Sequence, residues 1–313
     1  MNPLISVIVP AYNAERWIGQ ALSSVAEQTW RELEIVVVDD GSDDGTTGAV
    51  GAFADPRVRL VPQEHRGAAA ARNRGIRETC GSFIQFLDAD DVLSREKIER
   101  QVRALQSEAR DSLASCAWAR FSAEPETAHV QPEPVWTVSD PAEWLVVSLS
   151  GGGMMQPGAW LTPRALIDAA GPWDETLSLH DDGEFFSRVL LRASRNVFVS
   201  EATAYYRDLE GSLSRRRSRQ AIESALAVCR LRERHLRAVR NDRLARRALA
   251  TQYAQFAYDF ADAAPDLASR AIEAIRDLGE KPARKVGGKL FRLAVATLGL
   301  DAALRLRSFR LAM

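Results

Sequence analysis

The sequence predicts an α/β fold with a mixed, mainly parallel sheet, followed by a C-terminal helical region. Three observations predict it. Short apolar runs alternate with helix-period segments from residue 4 to about residue 90. Two of those runs end in aspartates. From about residue 214 onward strand residues thin out, and alanine, arginine and leucine dominate.

Leu4 to Val9 reads as a buried strand that Pro10 stops. Asn13 suits the N-cap of a helix beginning at Ala14, with Trp17, Ile18, Ala21, Leu22 and Val25 on one face. Leu33 to Val38 is a second strand, and Val36-Val37-Val38 suits a central parallel position. It runs into Asp39-Asp40 and then the turn residues Gly41 to Gly45. A short helix follows around Thr46 to Phe53, a third strand at Val58 to Val61, and an alanine-rich helix at Gly67 to Thr79.

The fourth strand, Phe83 to Leu87, opens directly into Asp88-Ala89-Asp90-Asp91. In an open parallel sheet, ligands bind outside the carboxyl ends of the strands. Clustered carboxylates there repel one another and call for a cation. Oxygen-only ligands suit a hard divalent ion that also holds phosphate oxygens, Mg2+ or Mn2+. The competing reading is a loop whose acids are merely solvated.

Downstream, Ser94 reads as the cap of a helix with Ile98, Val102 and Leu105 as its stripe. Leu113 to Phe121 reads as a strand, residues 124–134 as an irregular excursion, and Pro141 to Leu149 as a short helix. Thr162 at N-cap and Pro163 at N1 start another helix, which Gly171 stops. A turn at Pro172-Trp173-Asp174-Glu175 precedes His180-Asp181-Asp182-Gly183-Glu184, which leads into a helix. Val197 to Val199 and Ala204 to Tyr206 read as the last two strands. The tail reads as helices with breaks near Asn241, Pro265 and Gly279 to Pro282.

The net charge of −1 gives no reason to expect a nucleic-acid partner. Cys80, Cys116 and Cys229 are too scattered for a disulfide framework or a zinc site, and each is expected to be a small buried residue. The apolar run after Met1-Asn2-Pro3 is too short for a signal peptide, and no stretch is long enough to span a bilayer. The expected location is cytoplasmic, or peripheral on the inner face of the membrane.

Four motifs occur in order: Pro10-Ala11-Tyr12-Asn13, Asp39 through Thr46, Gly67 through Gly75 with Ala71-Arg72-Asn73-Arg74-Gly75, and Asp88-Ala89-Asp90-Asp91. Together with Gly171 to Glu175, Asp181-Asp182, Tyr205-Tyr206-Arg207 and Ser212-Leu213-Ser214, they resemble the inverting family 2 glycosyltransferases of GT-A fold. The resemblance implies a Rossmann-like nucleotide-diphospho-sugar transferase fold. It implies a catalytic domain over residues 1–213, with a nucleotide-sugar-binding half at 1–105 and an acceptor half at 106–213. Residues 214–313 are then a helical extension.

The resemblance also assigns roles. Pro10, Ala11, Tyr12, Asn13, Glu15, Asp40, Arg72, Asp88 and Ala89 would hold the donor, a UDP-, dTDP- or GDP-sugar. By the resemblance Tyr12 would stack on the base and Asp40 accept from a ring N–H. From their positions, Glu15 would reach a ribose hydroxyl or else favour the helix dipole, and Arg72 would pair with the diphosphate. Asp90 would bind the metal, helped by Asp88. Asp182 would be the base that takes the proton of an acceptor hydroxyl, with Asp181 orienting the site. Apart from the resemblance, Trp160, Trp173 and His180 are candidates for the acceptor pocket because aromatic faces pack on sugar rings, tryptophan there being core just as often. The acceptor would be a glycan or lipid-linked sugar in surface polysaccharide or glycoconjugate synthesis. The C-terminal helices suit a peripheral membrane contact or a homo-oligomer contact.

Two other classes compete. A nicotinamide-dependent oxidoreductase would carry G-x-G-x-x-G after the first strand, where Pro10 to Asn13 stand instead. A glycosyltransferase-like scaffold that had lost catalysis would have no need of Asp40, Asp90 and Asp182 together.

Overall fold

The computed structural model describes residues 2–209, 217–284 and 286–311. The Ser212-Leu213-Ser214 motif lies outside the described residues. In chain order the first elements are β1 (Ile5–Ala11), α1 (Ile18–Ala26), β2 (Leu33–Asp39), α2 (Thr46–Gly51), β3 (Val58–Pro62), α3 (Ala68–Glu78) and β4 (Phe83–Phe86). There follow β5 (Val92–Leu93), α4 (Lys97–Leu105), β6 (Ser112–Phe121), α5 (Pro141–Val147), β7 (Thr162–Pro163), α6 (Arg164–Ala170), α7 (Asp181–Leu190) and β8 (Arg195–Arg207). The tail forms α8 (Arg219–Val239), α9 (Arg243–Phe260), α10 (Pro265–Asp277), α11 (Lys289–Leu298) and α12 (Leu300–Leu311).

These elements form two compact units. One comprises Met1–Pro141, Met154–Glu175 and Arg188–Gly211; the other comprises Ala142–Gly153, Thr176–Ser187 and Ser212–Met313.

The first unit is built on a five-stranded sheet of order β3-β2-β1-β4-β7. The first four strands are parallel and β7 is antiparallel to β4, so the sheet is mixed. All seven residues of β1 are buried, as a central strand covered on both faces requires. Val36, Val38, Val61 and Ala71 pack as one cluster and seat α3 on the sheet. Gly75 makes that approach close: a Cβ there would collide with Ile8 Cγ2. A second sheet, β5-β8-β6, completes the unit.

Several local expectations are corrected. Pro10 does not stop β1, because the strand continues through Ala11, paired with Asp39 of β2. The reason is the parity of the ladder. Ile8 carbonyl accepts from Leu87 N–H, so Ile8 and Pro10 face the β4 side, where pairing ends at Phe86. The missing N–H of Pro10 therefore costs no ladder bond.

Asn13 is not a helix cap. It sits at φ 49, and its Oδ1 accepts from the Asp43 N–H at 3.0 Å, while α1 begins only at Ile18. Ser94 does not cap α4 either; its Oγ accepts from Thr203 N–H at 3.0 Å. Thr162 and Pro163 pair with Ile84 and Phe83 as β7, so the expected helix starts one residue late, at Arg164 with Pro163 as its N-cap, and ends at Gly171 as expected. The two strands expected near residues 197 and 204 are one strand. β6 pairs with it in register up to Cys116–Val199 and resumes at Ala117–Thr203, so residues 200–202 are a bulge. Cys80 is exposed, against expectation, whereas Cys116 and Cys229 are buried.

The second unit is helical. Ser218 caps α8, and Asp242 caps α9 through the Ala245 N–H at 2.8 Å. Alanine-rich faces bring α8 and α9 together around Ala221, Ala225, Cys229, Ala248 and Ala257, all buried. Tyr253 hydroxyl donates to Glu233 Oε2 at 2.7 Å across that packing. The expected breaks fall between α8 and α9, at Pro265, and after α10. Helix α11 buries none of its residues and exposes Leu290, Leu293 and Leu298.

Candidate functional site

The carboxyl ends of β1, β2 and β4 come out on the same edge of the first unit's sheet. Pro10, Ala11 and Tyr12 leave β1 there, Asp39 and Asp40 leave β2, and Asp88 to Asp91 leave β4.

Tyr12 is 47% exposed and stacks on the His65 ring, with centroids 4.1 Å apart and planes at 28°. His65 is in turn tied to Asp40: its Nδ1 lies 2.9 Å from Asp40 Oδ2. A flat aromatic platform thus stands at the open end of β1.

Asp40 takes a different part from the one expected. It is 2% exposed, and Oδ1 accepts from Gln63 Nε2 at 2.7 Å and from the Arg66 N–H at 2.9 Å. Its Oδ2 accepts from the Gly67 N–H at 2.8 Å. The carboxylate is consumed in folding the loop that opens α3, which leaves it no exposed face for a base. Asp39 is likewise engaged, by Ser42 and Thr47.

Glu15 is also redirected. Its Oε2 accepts from the Gly45 N–H at 3.0 Å, and its own N–H donates to Asp44 Oδ2 at 3.1 Å. With Asn13 on Asp43 and the Ala14 N–H on Thr46 Oγ1 at 2.8 Å, it laces the segment after β1 to the segment after β2. The Asp43-to-Thr46 part of the acidic Asp39-to-Thr46 motif is spent on this lacing.

Arg72 is buried, with Nη2 donating to Asp88 Oδ1 at 2.7 Å and the guanidinium 4.5 Å above the Trp173 ring. It therefore fixes Asp88 and does not project toward solvent as a diphosphate clamp. Trp173 is 1% exposed and meets Phe86 edge to face; Trp160 is equally buried. Neither ring has a face open to a sugar, so their expected acceptor role is corrected to core packing. Asn73 explains the Pro172-to-Glu175 motif. Its side chain accepts from the Trp173 N–H at 2.8 Å, and donates to the Trp173 carbonyl and to Glu175 Oε1, each at 2.9 Å.

Asp88, Ala89, Asp90 and Asp91 follow β4 as a turn closed by the Asp91 N–H on the Asp88 carbonyl, 3.0 Å. Burial first, and the charge of Asp88 second, push the Asp90 carboxyl up to about 6. Asp91 is held well above the usual carboxylate range by burial and by the charges of Asp90 and Asp88. Its Oδ1 accepts from the Arg207 N–H at 2.8 Å; its Oδ2 is buried with no partner among the described residues.

No three acidic, histidine or cysteine side chains converge as a metal cage among the described residues. What the turn offers is the Asp88–Asp90 pair, close enough for one charge to disfavour the other. A pair of carboxylates fits Mg2+ or Mn2+ in the way those ions are commonly held, by one or two carboxylates plus substrate phosphate oxygens.

Arg207 is a residue that the motif reading left without a role. It is fully buried between Trp17 and Phe121, its guanidinium carbon 4.2 and 4.3 Å from the two ring centres. It donates from Nε to the Asp90 carbonyl at 2.8 Å, and to Gln20 Oε1. Its place at the end of the Tyr205-Tyr206-Arg207 motif was the available signal.

In the second unit, Asp181 and Asp182 open α7, with Glu184 also in its first turn. His180 precedes them at φ 61. His180 keeps exposed surface, yet the crowding of protein around its ring, then the charge of Arg232, hold the imidazole below its ordinary pKa. Glu184 Oε1 lies 2.9 Å from His235 Nε2.

Residues 6–166 match the family model described as Glycosyl transferase family 2. WfgD of Escherichia coli, a UDP-Glc:alpha-D-GlcNAc-diphosphoundecaprenol beta-1,3-glucosyltransferase, is 44% identical over 100 residues, 32% of this chain and 40% of that protein. EpsJ of Bacillus subtilis, an uncharacterized glycosyltransferase, is 29% identical over 221 residues, 68% of this chain and 64% of that protein. The chain thus matches less than two thirds of the length of these two relatives.

Among solved structures, Staphylococcus aureus TarS 1–349 superposes with a TM-score of 0.72 at 18% identity, covering 99% of this chain and 92% of that one. The mannosyltransferase PcManGT of Pyrobaculum calidifontis, in complex with GDP-Man and Mn2+, gives 0.59 at 20% identity, covering 99% and 88%. At these identities the likeness concerns the fold, and it agrees with the expected GT-A architecture with C-terminal helices.

Proposed function

The chain belongs to glycosyltransferase family 2, and on that premise we propose that it moves a sugar, with inversion, from a nucleoside diphosphate sugar to an acceptor hydroxyl. The acceptor is a glycan or lipid-linked sugar of surface polysaccharide or glycoconjugate synthesis. The observation that carries the reading is the Asp88–Asp90 pair on the carboxyl-end edge of a parallel sheet, on the strand next to the one that presents Tyr12.

The residues divide the work. The exposed Tyr12 ring, backed by His65, offers the base a stacking face. Arg72 and Arg207 hold Asp88 and the Asp90 backbone in place. A divalent cation on Asp90 and Asp88 would neutralise the leaving diphosphate. Asp182 takes the proton of the attacking hydroxyl, with Asp181 as its orienting neighbour. The new bond forms at the anomeric carbon as the bond to the diphosphate breaks on the opposite face, which inverts the centre.

No helix among the described residues is long and apolar enough to cross a membrane. The exposed Leu290, Leu293 and Leu298, flanked by Lys289 and Arg292, support a peripheral contact with an anionic bilayer. Leu290→Glu with Leu293→Glu is expected to abolish co-sedimentation with phosphatidylglycerol vesicles. If the pair instead changes the sedimentation velocity of the protein alone, the face is an oligomer contact.

Calorimetry with UDP, GDP and dTDP, with and without Mn2+, tests the central reading. One diphosphate is expected to bind only with Mn2+, and Asp90→Ala is expected to lose that binding. Absence of binding under every condition would leave a scaffold that has lost catalysis.

A further inference from the structure

The helical unit contains a cavity of about 220 Å3. That is below the roughly 300–1,000 Å3 that houses a drug-sized ligand, so it accommodates one ring rather than an oligosaccharide. Leu149, Phe256 and Phe260 supply apolar wall; His180, Arg232 and Gln252 supply polar groups, with Gln255 and Asp259 beside them.

The polar groups are preset. Gln252 Nε2 donates to the Cys229 carbonyl at 3.0 Å, which fixes the amide. Its Oε1 is buried and has no hydrogen-bond partner among the described residues. A buried acceptor left unpaired is costly, and a ligand O–H would satisfy it. Gln255 Nε2 donates to Asp259 Oδ1 at 2.9 Å and so orients a second acceptor. Arg232 donates from Nε to Ser187 Oγ at 3.1 Å, leaving further guanidinium N–H groups as donors.

We propose that this cavity seats a neutral sugar ring of the acceptor, with Gln252 and Asp259 accepting from its hydroxyls and Arg232 donating to its oxygens. The inference rests on the transferase reading for the word acceptor. Arg284 also lines the cavity and is engaged by the Gly151 carbonyl at 2.8 Å; a phosphate would meet it and Arg232, but brings only acceptors to Gln252 Oε1 and a like charge to Asp259. A sugar hydroxyl both donates and accepts, and the ring's C–H face suits Phe256 and Phe260. The cavity is coupled to the proposed base. His180 lines it two residues before Asp182, and the Arg232 guanidinium feels the charge of Asp182.

Ligand-observed NMR titration of the full chain tests this, with the methyl glycosides of glucose, galactose, mannose and N-acetylglucosamine, and with inorganic pyrophosphate. At least one glycoside is expected to bind. Gln252→Leu, which keeps size and removes the acceptor, and Asp259→Asn are each expected to weaken it at least fivefold, with thermal melts confirming the fold. No glycoside binding, binding in both variants as tight as in the wild type, or pyrophosphate binding that Gln252→Leu weakens would each overturn the proposal. UDP binding with Mn2+ is read on the same samples. Nucleotide binding without glycoside binding sinks the cavity alone. Glycoside binding at the cavity without nucleotide binding sinks the transferase reading and leaves a sugar site.

Discussion

Arg207 Nε donates to the Asp90 carbonyl at 2.8 Å, and the Arg207 N–H donates to Asp91 Oδ1 at the same distance. One residue at the end of β8 therefore holds two consecutive aspartates of the turn after β4. Its guanidinium is buried between two aromatic rings, so the geometry is rigid. Arg207→Met is expected to cost about 3 kcal/mol of stability through the lost charged hydrogen bonds and ring contacts. It is also expected to weaken Mn2+-dependent nucleotide binding roughly tenfold or more, as removal of a group that orients a metal-binding residue does. Urea denaturation and a Mn2+ titration check the two effects. Full metal affinity in a stably folded variant would refute the positioning role.

Asp40 separates two ideas about its motif. If its carboxylate serves the loop before α3, Asp40→Asn replaces an acceptor facing the Gly67 N–H with a donor. The expected loss is about 1–3 kcal/mol, seen as a lower denaturation midpoint. Nucleotide affinity should fall for every base alike, because the Tyr12–His65 platform loses its support. A change of base preference at unchanged stability would instead restore the direct base contact.

Tyr12 carries the stacking face. Base–aromatic stacking is worth about 1–3 kcal/mol, so Tyr12→Ala is expected to weaken nucleoside diphosphate binding by roughly 5- to 150-fold. Tyr12→Phe should bind as the wild type does, since no hydroxyl contact is invoked. Calorimetry on both variants gives the comparison.

Lys97 is fully buried, donates to Gln85 Oε1 and to the Trp160 carbonyl, and is lowered by burial from 10.5 to about 8. Between those values the unfolded chain binds a proton that the folded chain lacks, so stability rises with pH across that window. Below about 8 both states are protonated and the gain is absent. The buried thiols of Cys116 and Cys229, pushed up to about 11 and about 12, act in the opposite sense at alkaline pH. The measurement is therefore the difference between wild type and Lys97→Met at each pH. Wild type should gain roughly 1–3 kcal/mol on the variant between pH 8 and pH 10. A flat difference would show that Lys97 stays charged.

The parallel sheet was legible because Val36-Val37-Val38 and Phe83 to Leu87 announce buried strands, and their aspartates announce the edge. The partners of those aspartates were not legible. Two of the four groups on the Asp40 carboxylate are backbone N–H groups about 26 residues further on, which carry no side-chain signature, and the other two, Gln63 and His65, are about as remote in sequence. Asn13 has the composition of a helix cap, but its partner, Asp43, is 30 residues away, and local propensity is silent about such distances. Thr162-Pro163 reads as a helix start, and a helix does follow, but pairing with Ile84 and Phe83 moves its first residue to Arg164. Trp160 and Trp173 show the same limit, since an aromatic ring suits a core and a sugar equally well.

The proline in β1 also decides where the sheet can be extended. Past Ile8 the β4 side of β1 would need an N–H at position 10 to keep pairing, and Pro10 has none. A backbone passing along that side would forgo the ladder bond at position 10. The crevice at the top of the sheet is thus protected against being filled by backbone. An alanine there would restore the missing donor and, with it, an adhesive edge at the mouth of the site.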